Sequence, residues 1–191
     1  PVLPPQRGPC VPTDDDFDLI IVGTGSGNSV PDEDLADWRI AVVEPDVFGG
    51  TCLNRGCIPS KMFVYTAHVA HAVRGAGTYG LDATLEDSDW SAIRDRVFGR
   101  IDPIAESGRR YRAGIENTTL FEEPARFVGP RTLQVGDRTI TGERIVLAAG
   151  SRPTIPDVPG IHDVPHVTSD DVMRLPERPD QPRGLATRLA G

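Results

Sequence analysis

Three short apolar runs and two long helical stretches set the layout of the chain. Phe17-Asp18-Leu19-Ile20-Ile21-Val22, Ile40-Ala41-Val42-Val43 and Ile145-Val146-Leu147-Ala148 are nearly unbroken, the pattern of strands buried on both faces of a parallel sheet. Between the second and third, the pattern turns helical. From residue 59 to 75, Phe63, Ala67 and Ala70 share one face and Val69 and Val73 another, and Gly75 and Gly77 close the stretch. A second helix is expected from about residue 89 to 111, where Ile93, Val97, Ile101 and Ile104 form a stripe that packs on the first helix and Pro103 bends or ends the element. The period then shortens. Residues 118–121, 125–128, 132–135 and 138–141 read as strands of an antiparallel insert, with Gly136-Asp137 as a two-residue hairpin loop. The fold class is therefore α/β: a Rossmann-like domain with a parallel sheet and an antiparallel β insert.

The ends of the strands carry the first chemistry. Gly23-Thr24-Gly25-Ser26-Gly27-Asn28 follows the first run directly, and such a turn lets backbone N–H groups approach a pyrophosphate. Gly23, Gly25, Ser26 and Gly27 are its candidate contacts. Asn28 stands where the fingerprint has a third glycine. The helix that should follow is poor, with Pro31 near its start and little apolar periodicity over 32–37, so a short or distorted element is expected. Glu44 ends the second run, 21 residues after Gly23, where an acid accepts from a ribose hydroxyl; the competing reading is a surface carboxylate at a strand end. Ala149 and Gly150 close the third run and, being small, allow a ligand to approach a second wall.

Composition narrows the class. In 191 residues, 38% hydrophobic and 25% charged, there is room for one well-cored domain, and no apolar run approaches a membrane span. A net charge of -8 argues against a nucleic-acid surface. Residues 1–16, with five of the 18 prolines in the first twelve and an Asp run at 14–16, are expected to be a disordered lead. They have no basic stretch followed by an apolar one, and three cysteines make no secreted scaffold, so the cytoplasm is the expected compartment. The domain itself is expected over 17–160, with 161–191 as an exit segment and tail.

The densest chemistry lies in Gly49-Gly50-Thr51-Cys52-Leu53-Asn54-Arg55-Gly56-Cys57-Ile58-Pro59-Ser60-Lys61. With Pro59 as the first residue of a helix, Cys57 lies just ahead of unpaired N–H groups that stabilise a thiolate. That favours a redox pair. Buried structural cysteines, a structural disulfide and a zinc site are the alternatives, and zinc fails on count, since Cys10 is remote and no His pair completes a set. No metal is expected. Because the pair follows Glu44 within eight residues, it meets the far end of a dinucleotide, and a flavin exchanges electrons with thiolates where a nicotinamide does not. Lys61 is a candidate to stabilise negative charge on a reduced flavin, or else a surface lysine; His68 and His71 read as solvated or packed. Arg96, Arg100, Arg109 and Arg110 read as a solvated face paired with Glu106 and nearby Asp residues, ahead of an anionic substrate rim.

Residues 18 to about 175 resemble the N-terminal, flavin-binding part of the class I pyridine nucleotide-disulfide oxidoreductases. The string at 49–61 is highly specific for that group, and residues 23–29, 61–65 and 96–104 look most like its mycothione reductase branch, whose own glycine turn shares this irregular form. The resemblance implies that Cys57 is the flavin-proximal thiol and Cys52 the interchange thiol. It implies FAD lined by Gly23, Gly25, Glu44, Gly50, Thr51, Lys61, Ala149 and Gly150, NADPH as the electron source, and mycothiol disulfide as the low-molecular-weight substrate. Members of the group form homodimers and continue with an NAD(P)H domain and a dimerisation domain that supplies an acid-base His with its Glu. Residues 181–191 match no such continuation, so a truncated or frame-shifted product unable to turn over alone is expected. A dihydrolipoyl dehydrogenase-like enzyme and a non-catalytic FAD-binding remnant are the rivals.

Overall fold

The computed structural model describes residues 14–179; the greater part of the expected lead, with Cys10, and the tail from 180 lie outside the described residues. The three apolar runs form the centre of a six-stranded sheet whose strands lie in the order Thr118–Phe121, Ile40–Val43, Asp16–Val22, Arg138–Leu147, Thr132–Val135 and Ala125–Gly129. β1 (Asp16–Val22) pairs in parallel with β2 (Ile40–Val43) on one side and with β6 (Arg138–Leu147) on the other. Alternation decides the layers: Ile40 and Val42 face a core with Leu19, Ile21, Trp38 and Phe48, while Ala41 and Val43 face one with Ile20, Phe121, Leu133 and Ile140.

Two corrections concern the insert. β3 (Thr118–Phe121) is a parallel edge strand beside β2, outside the antiparallel part, because the returning chain enters at Asn117, whose carbonyl accepts from Ile40 N–H at 2.9 Å. Only β4 (Ala125–Gly129), β5 (Thr132–Val135) and the first four residues of β6 form the antiparallel meander. The segments 138–141 and 145–148 are in turn one strand. β6 pairs with β5 up to Thr141, then runs on beside β1 alone, so Ile145 and Val146 are half-buried and Leu147 is 65% exposed, where a buried strand was expected. The hairpin loop stands as expected, with Gly136 at φ 55°.

The poor helix after the glycine turn reduces to two 3-10 turns, Ser26–Ser29 and Glu33–Leu35. The two long helices form, with shifted starts and stripes. α1 (Gly50–Asn54) is a single turn, and α2 (Cys57–Gly75) starts at Cys57, two residues earlier than Pro59 signals. Pro59 is its third residue, where a missing N–H costs no helical bond. In α2 the inner line is Pro59, Met62, Phe63, Thr66, Ala70 and Val73; Ala67 is exposed. α3 (Trp90–Ala113) runs through Pro103 without ending. Its buried stripe is Val97, Phe98, Ile101 and Ala105; Ile104 is 51% exposed, because Ala105 continues the 4-residue step from Ile101. Leu53, Met62 and Phe63 pack on this stripe, and Phe63 stacks on Trp90 with ring centres 5.2 Å apart.

The lead and exit segments are tied in as well. Asp15 accepts from Thr141 N–H at 2.8 Å through its carbonyl and pairs with Arg138. Met173 joins the α3 cluster, Trp90 donates from Nε1 to the Leu175 carbonyl at 2.8 Å, and Arg174 lies 3.7 Å from the Phe98 ring centre while pairing with Asp102 at 2.7 Å.

Candidate functional site

The carboxyl ends of β1, β2 and β6 meet at one edge, as a parallel sheet requires, and the candidate residues gather there. Glu44 leaves β2 half-buried. Its Oε2 accepts from both the amide (3.0 Å) and the hydroxyl (2.7 Å) of Thr24, and its Oε1 accepts from Asp46 N–H at 3.1 Å. The Thr24 hydroxyl in turn accepts from Gly49 N–H at 3.0 Å. One buried threonine thus joins the glycine turn, the acid and the start of the cysteine segment. The two glycine segments also touch directly: a Cβ on Gly50, at φ 66°, would stand 2.5 Å from the Gly25 Cα. From the β6 side, a Cβ on Gly23 would meet the Ala148 carbonyl oxygen at 2.2 Å and the Ala149 Cα at 3.2 Å. Gly150, at φ 69°, has nothing within 4 Å of where its Cβ would be.

These observations fit a dinucleotide. A carboxylate has about four acceptor positions, and Glu44 uses three, so one on Oε1 remains for a hydroxyl. Open space at Gly150 admits close approach of a ligand to the backbone.

Cys52 sits in α1 and Cys57 opens α2; both are reduced and exposed, so neither is a buried structural cysteine. The neighbouring Cys57 thiol is the first reason the Cys52 thiol is pushed above its ordinary pKa, with lost hydration and repulsion from Cys57 adding to it; the Cys57 N–H and the Lys61 ammonium act the other way. Lys61 therefore acts electrostatically on Cys52. Among the described residues no group of three or more His, Cys, Asp or Glu is arranged to hold a metal ion. His68 and His71 are exposed, as expected.

Two hollows open beside the helices, and neither is lined by Cys52 or Cys57. A groove of about 330 Å³ between α2 and α3 is lined by Lys61, Met62, Tyr65, Arg96 and Arg100. A larger one, about 930 Å³, lies under residues 46–48 between α1, α3 and the exit segment, away from the candidate cofactor residues. Of the arginine face, Arg109 pairs with Glu106 at 3.0 Å and Glu122 at 3.4 Å, and Arg110 with Glu106 at 3.8 Å, while Arg96 donates to the Thr66 hydroxyl.

Three residues that hold the site were given no role by the sequence. Thr24 occupies a position the glycine fingerprint leaves free. Asn54, 4% exposed, donates to the Phe48 and Gly50 carbonyls at 2.9 and 3.0 Å and so shapes the loop ahead of Cys52. Arg112, 7% exposed, reaches from the end of α3 to Asn28, 84 residues earlier. Only Thr24 is legible locally, as a hydroxyl one residue past the strand.

Residues 17–189 match the pyridine nucleotide-disulphide oxidoreductase family. The chain is 48% identical over 173 residues to the mycothione reductase of Mycobacterium tuberculosis, covering 86% of this chain and 37% of that protein. It is 30% identical over 168 residues to the glutathione reductase of a Nostoc species, covering 86% and 36%. Among solved structures, the HOCl-induced flavoprotein disulfide reductase RclA from Escherichia coli superposes with a TM-score of 0.69 at 26% identity, covering 84% of this chain and 34% of that one. The chain thus spans somewhat over a third of the length of the curated relatives it matches.

Proposed function

The chain belongs to the pyridine nucleotide-disulphide oxidoreductase family, and we propose that it is the FAD- and dithiol-bearing part of an NADPH-dependent reductase of mycothiol disulfide. One observation carries this reading: two free, exposed cysteines, Cys52 and Cys57, close enough for Cys57 to shift the ionisation of Cys52, stand on the segment whose first residues, Gly49 and Gly50, contact the glycine turn. The identity to a mycothione reductase supports the choice of substrate.

In this reading Gly23, Gly25, Ser26 and Gly27 hold the diphosphate of FAD, Glu44 accepts from a ribose hydroxyl through Oε1, and Gly50, Thr51, Ala149 and Gly150 line the remainder. Bound FAD supplies two-electron transfer between NADPH and the cysteine pair. With both thiols reduced, the Cys52 thiolate attacks one sulfur of the substrate, forming a mixed disulfide and expelling the first thiolate, which takes up a proton. Cys57 then attacks the Cys52 sulfur, closing the Cys52–Cys57 disulfide and releasing the second thiol. One disulfide is reduced to two thiols and one dithiol is oxidised. Lys61 lowers the cost of negative charge on Cys52. A cytoplasmic, homodimeric setting completes the proposal; no helix among the described residues is long and apolar enough to cross a membrane.

The test is a visible spectrum of the protein purified with added FAD, before and after one equivalent of dithiol. A new long-wavelength absorbance that is absent in Cys57→Ser supports the reading, and protein without bound flavin overturns it. For the substrate, dithiol-reduced protein should consume one equivalent of mycothiol disulfide faster than glutathione disulfide; the reverse order rejects the mycothiol assignment.

A further inference from the structure

We infer that Arg112 is a positioning residue for the dinucleotide diphosphate, acting through Asn28 and supplying, from behind the glycine turn, positive charge that the turn itself lacks. The inference rests on the dinucleotide reading above. Three observations carry it. First, the element after Gly25 is a four-residue 3-10 turn, Ser26–Ser29, where a fingerprint of this kind ordinarily runs into a full α-helix. Aligned peptide dipoles over so few residues sum to little, so the usual electrostatic support for an anion is weak here. Second, a guanidinium is buried against this turn: Arg112 is 7% exposed, its Nε donates to Asn28 Oδ1 at 2.6 Å, and its Nη2 donates to the Asn28 carbonyl. Asn28 is the residue that replaces the third glycine, so the departure from the fingerprint creates the side-chain acceptor, Oδ1, beside a carbonyl that any residue would offer.

Third, this charge has no counterion. Both acceptors on Asn28 are neutral, and among the described residues no carboxylate pairs with Arg112, whereas Arg109 and Arg110 on the same helix both pair with Glu106. The Arg112 Cζ lies 5.7 Å from the centre of the Tyr111 ring, which softens the burial without neutralising it. A buried cation without an acid is disfavoured unless an anion arrives, and a diphosphate at the turn is such an anion.

The experiment titrates flavin-free full chain with FAD and with ADP at low and high salt, in wild type, Arg112→Met, Arg112→Lys and Asn28→Asp, with thermal melts of each. Asn28→Asp is the decisive variant. It places a carboxylate where Arg112 already donates, so the fold should keep or gain stability while the charge is cancelled. Both Asn28→Asp and Arg112→Met should weaken FAD and ADP about tenfold and flatten the salt dependence, and Arg112→Lys should retain most of the affinity. Wild-type affinity in Asn28→Asp, or equal losses in Arg112→Lys and Arg112→Met with unchanged salt dependence, overturns the inference. Salt-dependent wild-type binding of ADP without binding of FAD rejects the flavin proposal and leaves the inference standing; binding of neither rejects both.

Discussion

Gly50 rests on Gly25 with no room for a side chain: at φ 66°, its Cβ would stand 2.5 Å from the Gly25 Cα and 3.1 Å from the Gly25 nitrogen. Backbone cannot swing aside as a side chain can. Gly50→Ala combines a left-handed backbone, costing ~1–2 kcal/mol, with this clash. The expected loss is ~3 kcal/mol, read as a lower urea midpoint at unchanged slope. The neighbouring Gly150→Ala meets open space and should lose only the backbone cost.

Thr24→Val keeps shape and removes one hydroxyl. Gly49 N–H loses its acceptor and Glu44 Oε2 loses the shorter of its two donors. In a site this buried the cost should be ~1–3 kcal/mol, with weaker flavin binding because the two glycine segments are no longer pinned to one acid. Thr24→Ser should recover most of both. A double-denaturant series with flavin titration reads the two effects separately.

The cysteine pair predicts a pH signature. Because the neighbouring Cys57 thiol is the leading reason that the Cys52 thiol is raised, Cys57→Ala should move Cys52 ionisation to lower pH. Alkylation rates at Cys52, followed by mass spectrometry across pH 6–11, should show the midpoint falling in the variant. A midpoint that rises would show that the Cys57 side chain stabilises the Cys52 thiolate instead of opposing it. Lys61→Met should move it upward in the otherwise native chain, since the ammonium acts in the lowering direction.

Asp89 caps α3, accepting from Ala92 N–H at 3.0 Å, and that bond leads the causes that hold its pKa below the ordinary aspartate value. A lowered folded-state pKa adds stability that is present above the unfolded value, near pH 4, and is lost as pH falls through the folded one. Asp89→Ala should therefore be less stable than wild type at neutral pH, and the difference should shrink below about pH 4. Urea midpoints at pH 7 and pH 3 measure it.

Trp90→Phe retains the stack on Phe63 and deletes the bond to the Leu175 carbonyl. A stability loss of ~1 kcal/mol is expected, together with faster proteolysis within 160–176. Unchanged cleavage would mean that Met173, Arg174 and the Arg94 bonds to the Leu175 and Pro176 carbonyls hold the exit segment without it.

The central strands as segments, the glycine turn, the acid ending the second strand and the cysteine string were all legible in the sequence, because each depends on residues close together in the chain. Alternation and apolar runs report burial directly, so β1 and β2 were found almost to the residue. The errors share a different cause. Thr118–Phe121 reads as any short strand, and only its partner Ile40–Val43 makes it parallel. Whether 138–147 is one strand or two depends on where β5 departs, which lies in another part of the chain. Ile104 and Ala105 are both apolar, and which one turns inward is set by the surface α3 packs on.

The site divides the same way. Gly23, Glu44, Cys52 and Cys57 are singled out as candidates by type and spacing, since each sits on a local motif or at the end of a strand. That Thr24 joins Glu44 to Gly49, and that Asn28 meets Arg112 from 84 residues away, are decisions of packing: hydrogen bonds require contact within about 3 Å, and sequence separation says nothing about which distant groups come that close.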